Sequence, residues 1–146
     1  MTEESKTPVW FWIIGTVALV WNALGLGAYF QQIMMSAEQF AALPQVQQDL
    51  LSTQPIWVSA AFAIAVFAGF AAAIALLMRK RIAVRLFLLS LLAVLVQFSS
   101  YFILDGYSEF VAGQGWTMPV LIVAFALGFV LFSLRAEKAA CCARSG

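Results

Sequence analysis

A chain of 146 residues that is 64% hydrophobic and only 10% charged has no room for a soluble domain beside its four long apolar runs. Eight Lys and Arg nearly balance seven Asp and Glu, and the cations form no continuous stripe of the kind that grips nucleic acid. The absence of His removes histidine-ligated haem and most metal-site chemistry.

The first run, 9–30, is close to the ~20 residues that a helix needs to cross a bilayer. Its head, Met1–Lys6, is acidic overall, and the run is longer than the apolar region of a cleaved signal, so a retained signal anchor is expected. Trp10 and Trp12 suit one membrane interface, as Trp57 and Trp116 suit the other. Gly15, Ala18, Asn22, Gly25 and Tyr29 follow steps of three and four and share one helix face.

The segment 31–55 is too patterned for a bare linker. Ser36 and Gln39 have the spacing of a capping box. Phe40, Leu43, Val46 and Leu50 recur at helical steps, and Pro44 should divide the stretch into two short amphipathic helices. Such helices lie on the membrane surface or cover the mouth of the bundle.

The second run, 56–78, carries Ala61, Ala65, Gly69 and Ala73, a ridge of small residues that lets another helix approach closely. The short Arg79–Arg81 turn makes it an antiparallel neighbour of the third run, 82–104. There Ala83, Ser90, Ala93, Gln97 and Ser100 share a face, while Leu86, Leu89, Leu92 and Leu95 are expected toward lipid. The segment 105–116, with Gly106, Gly113 and Gly115, reads as a mobile loop. The fourth run, 116–134, repeats the small-residue device at Ala124 and Gly128, which fits either internal packing or a homodimer seam. The tail 135–146 holds the adjacent Cys141 and Cys142, expected to be unbridged thiols on the reducing side.

Threading these runs up and down places all eight basic residues together and leaves Glu38, Asp49, Asp105 and Glu109 on the other side. Because short basic loops stay cytoplasmic, the expectation is an all-α integral membrane bundle of four helices, up-down-up-down, with both termini inside. The whole chain forms a single domain in this reading. Asn22 and Gln97 should each sit about 11–12 Å below the outer end at about 1.5 Å per residue. They are expected to meet near the bundle axis, with Trp21, Tyr29 and Tyr101 in the same outer half.

No ionisable residue lies at mid-depth in any run, which argues against proton relays, ion-coupled pumps and voltage sensors. No Cys-x-x-Cys pair occurs, so thiol oxidoreductase chemistry is also unsupported. A non-enzymatic protein without metal or cofactor is expected. Neutral amides can be interhelical glue, but beside aromatic rings they also suit a small uncharged solute. Asn22, Gln97, Tyr29, Tyr101 and Trp21 are therefore the candidate ligand residues.

Trp21-Asn22 with Gly25 and Tyr29, Met35–Glu38 with Ala41–Pro44, and Ala61–Phe67 with Gly69 resemble a group of small bacterial four-span proteins labelled as sugar transporters. The resemblance spans nearly the whole chain and implies a bacterial inner-membrane transporter or facilitator for a neutral solute such as a sugar. A second reading is an accessory subunit that packs against a larger membrane complex through small-residue faces. The partners expected are thus the lipid bilayer and either a homo-oligomer or a larger complex. Transport predicts a wet cavity reaching Asn22 and Gln97; packing predicts a closed axis and an outward small-residue face.

Overall fold

The computed structural model describes residues 7–114 and 116–144, without the side chains of Phe110, Gln114 and 140–144. The acidic head and the thiols of Cys141 and Cys142 lie outside what it describes. The described residues form helices α1 (Val9–Ile33), α2 (Ala37–Ala41), α3 (Gln45–Thr53), α4 (Ile56–Leu77), α5 (Ile82–Ile103), α6 (Tyr107–Gln114) and α7 (Thr117–Arg144). Four of these, α1, α4, α5 and α7, are long and apolar enough to cross a membrane.

Local chemistry explains the breaks. Pro8, Pro44 and Pro55 each stand at the N-cap of a helix in an extended backbone, where a missing N–H costs nothing. At α2 the Ser36 hydroxyl accepts from Gln39 N–H at 3.2 Å, and the Gln39 side chain accepts from Ser36 N–H at 3.0 Å. That is the capping box its spacing predicts. The α4–α5 turn closes differently. Lys80 N–H donates to Ala75 O at 2.8 Å and Arg79 N–H to Leu76 O at 2.9 Å, the paired bonds of a Schellman end. Arg79 takes the left-handed position, with φ 58°, where glycine is usual.

Packing centres on α4. Its Ala61, Ala65, Gly69 and Ala73 are all buried, and the absence of bulk lets α1 pack on one side and α5 on another. The α4 ridge is therefore an internal seam. Helix α7 packs on α5, where Phe87 and Phe129 approach to 5.8 Å between ring centroids. Aromatic contacts join α7 to α1: Trp21 stacks on Phe125 at 4.3 Å, and Trp10 meets Phe132 edge-on at 5.4 Å. One apolar core, including Phe11, Ala18, Ala72, Leu76, Phe87, Phe129 and Val130, links all four long helices. It lies toward the end that carries the Arg79–Arg81 turn.

The outer faces are also apolar. Val17, Val20 and Leu24 on α1, Leu89, Leu92 and Leu95 on α5, and Leu127 and Leu131 on α7 are all exposed, as a surface meant for lipid requires. Leu86 departs from its expected lipid position and packs against the core.

Two segments differ from expectation. Residues 107–114 form helix α6 where glycines suggested a mobile loop. Gly106 makes the turn at φ 84°, and Tyr107 and Val111, one helical turn apart, are buried beneath α6. Burial of that face outweighs the ~1 kcal/mol by which a helical glycine falls short of alanine. The tail from Arg135 onward is the continuation of α7 to Arg144, not a separate segment.

Candidate solute cavity

The end of the bundle opposite the Arg79–Arg81 turn is open. The last turn of α1, helix α3, the first turns of α4, the last turns of α5 and helix α6 surround a cavity of about 270 Å³. Gln32, Gln47, Gln54, Gln97, Ser100, Tyr101 and Tyr107 supply its polar groups, and Leu50, Leu51, Val58 and Phe62 its apolar wall. A second cavity, about 510 Å³, lies against the α1–α2 junction and shares Gln32, Leu51 and Gln54 with the first. Among the described residues, every polar side chain lining either one is a neutral amide, hydroxyl or phenol.

Each wall is held by its own element. The Gln48 amide donates to Leu43 O at 2.8 Å and to Ala41 O at 3.2 Å, which ties α3 back across the Pro44 break. Gln32 donates to Gln54 at 3.4 Å, a long bond linking the end of α1 to the end of α3. Ser100 is 1% exposed, and its hydroxyl donates to Gln97 O at 2.6 Å. The Gln97 amide itself makes no side-chain hydrogen bond among the described residues, so its donors and acceptor remain available.

Tyr107 is the unusual member. It is 7% exposed, and its hydroxyl is the buried side-chain polar atom left without a hydrogen-bond partner among the described residues. Such a group costs about 1–3 kcal/mol when unsatisfied. Its ring stands 5.8 Å from that of Tyr101, which stacks on Phe98 at 5.4 Å. Burial, and secondarily the Tyr101 phenol, push the Tyr107 hydroxyl above the usual phenol range. It therefore stays protonated at neutral pH and can donate.

The five expected ligand residues divide. Gln97 and Tyr101 line the cavity. Asn22 does not, and it is not paired with Gln97. Its amide donates to Ala18 O of its own helix at 2.8 Å, and its side-chain oxygen occupies the notch at Gly69. Ser90, beside the same notch, donates to Ala65 O at 2.7 Å. The reason is geometric: α4 is the helix against which α1 packs, so the polar face of α1 meets Gly69. Trp21 is committed to Phe125 of α7. Tyr29 packs edge-on against Phe62 and Phe67 of α4, behind the cavity wall.

Ala124 and Gly128, unlike the α4 ridge, are exposed, and a Cβ at Gly128 would meet nothing within 4 Å. Both therefore lie outside the buried core of the described residues.

Gln32, Gln47, Gln54 and Tyr107 were not singled out by spacing. The glutamines had a signal, since an amphipathic segment poised over a bundle mouth presents its polar face to whatever lies beneath. Tyr107 had none, because it lies in a stretch whose glycines suggested a mobile loop. Among the described residues no three His, Cys, Asp or Glu side chains come together as metal ligands. No protein-family model, curated protein or solved structure matches the chain.

Proposed function

We propose that this protein is a small membrane facilitator or transporter for an uncharged, hydrogen-bonding solute. The observation that carries the reading is the cavity of about 270 Å³ whose polar lining, among the described residues, is neutral. At about 30 Å³ per water, that space suits roughly nine waters or a solute of about ten non-hydrogen atoms. Amides and phenols beside an apolar wall are the mixture expected of a small-molecule site.

The contacts support an up-down-up-down arrangement. Gly15 lies by Leu77, Gly25 by Val66 and Tyr29 by Phe62, so α1 and α4 run in opposite directions. Trp21 with Phe125 and Trp10 with Phe132 relate α1 and α7 in the same way. With the basic turn and the end of α7 on the cytoplasmic side of an inner membrane, the cavity opens outward. The Phe11, Leu76, Phe87 and Phe129 core then closes the inner half, as in one state of an alternating-access cycle.

Solute counterflow in proteoliposomes, across neutral sugars and polyols, tests this reading. Wild type should show saturable flux. Gln97→Leu should remain folded and lose most of it, whereas Asn22→Leu should act chiefly on stability because Asn22 packs against Gly69. Absence of saturable flux from well-folded wild type across the panel rejects transport of this solute class.

The outward position of Ala124 and Gly128, flanked by exposed Val120, Leu127 and Leu131, favours a second reading. In it, α7 docks against another membrane helix, either of a second copy or of a larger complex. The two readings are compatible if the facilitator works as an oligomer.

A further inference from the structure

We infer that the Tyr107 hydroxyl, which has no partner among the described residues, is the group that selects the solute and is satisfied by a hydroxyl or carbonyl oxygen of the ligand. This rests on the cavity being a solute site, as proposed above, and goes further by naming the recognising atom and the oxygen chemistry it demands.

Three observations converge. Tyr107 lines the cavity. Its hydroxyl is buried and lacks a protein partner among the described residues, although such groups are nearly always paired in folded proteins. It stands beside Tyr101, and the Gln97 amide on the same cavity wall has its own hydrogen-bonding capacity uncommitted. A neutral phenol offers one donor and an acceptor, and an amide offers both. A solute oxygen that accepts from the phenol and donates to an amide carbonyl satisfies both groups at once. A site built around such a group penalises an analogue that lacks the oxygen, because the phenol then stays unpaired.

Helix α6 is suited to this role. It rests on α5 and α3, outside the core that joins the four long helices.

The test is thermal unfolding of the full chain in nanodiscs, with and without neutral monosaccharides, polyols and their deoxy or O-methyl analogues, for wild type, Tyr107→Phe and Tyr29→Phe. Wild type should be stabilised by solute, and less by analogues lacking a hydroxyl. Solute-free Tyr107→Phe should unfold at the wild-type temperature or above it, since the change removes an unsatisfied group. It should also bind solute at least tenfold more weakly and no longer distinguish the analogues. Tyr29→Phe, at a position behind the cavity wall against Phe62 and Phe67, should retain that discrimination.

A Tyr107→Phe protein that is less stable without solute, or fails to fold, shows that the hydroxyl has a structural partner and overturns the inference. A solute shift that persists unchanged in Tyr107→Phe overturns it while leaving the facilitator reading standing. If wild type gives no shift with any member of the panel, both fail together.

Discussion

Gly69 is where three helices meet at a single missing methyl group. A Cβ there would collide with the Asn22 side-chain oxygen and lie 3.0 Å from the Ser90 hydroxyl oxygen. Gly69→Ala should destabilise the protein by about 1–3 kcal/mol, as overpacking does, despite the ~1 kcal/mol that alanine adds in helix propensity. In an Asn22→Ala background the loss should shrink, a coupling that a double-mutant cycle in detergent-solubilised protein would measure. Gly128→Ala, which meets open space, should not destabilise the isolated chain and should gain up to about 1 kcal/mol from helix propensity. Equal losses at the two glycines would contradict the notch. The four-residue spacing made Gly69 legible as a close-approach position. That Asn22 fills the notch was not legible, because depth along a helix can be counted in sequence whereas the neighbour it faces depends on which helix stands between.

The short elements show the same division. The box at Ser36 and Gln39 is a local device, complete within four residues, and its spacing was enough to place it. Helix α6 depends on burial of Tyr107 and Val111 against distant segments, so its glycines pointed the wrong way. Together α3 and α6 supply Gln47, Leu50, Leu51 and Tyr107 to the cavity, while their acidic residues Asp49 and Glu109, like neighbouring Asp105, remain exposed. Solute affinity should therefore stay flat between about pH 5 and about pH 9, since ordinary phenols ionise near 10. A carboxylate-like step near pH 4–5 in a binding titration would place an acidic group in the site. The raised pKa of Tyr107 carries a sign for stability as well. The folded state favours the neutral phenol, so this contribution is complete below the unfolded phenol's pKa, near 10, and is lost as pH rises through the folded value.

At the scale of the molecule, polarity and packing run in opposite directions along the bundle. The large apolar core fills the end with the basic turn, and the neutral polar cavity opens at the end with the short helices. Sidedness can be read directly by placing single cysteines at Ser36 and at Lys80, in a background where Cys141 and Cys142 are serine. In intact cells an impermeant thiol reagent should label the Ser36 position and not the Lys80 position. The reverse pattern would invert the topology proposed here and with it the direction in which the cavity faces. The number and rough limits of the spans were legible because lipid demands long uninterrupted apolar runs. The polar cavity was legible only at Gln97 and Tyr101, since most of its amides come from surface segments whose placement no periodicity encodes.

Arg79 sits in a left-handed conformation that costs an L-residue about 1–2 kcal/mol and that glycine adopts freely. Arg79→Gly should therefore make the finished protein more robust. It would also take one cation from the turn that, in the topology proposed above, sets which way the α4–α5 hairpin enters the bilayer during synthesis. Equilibrium and biogenesis then pull apart at a single residue: the variant population should hold sturdier molecules but more of them inserted upside down. In the topology proposed above, the arginine's charge would act on an event that is over before the folded state exists.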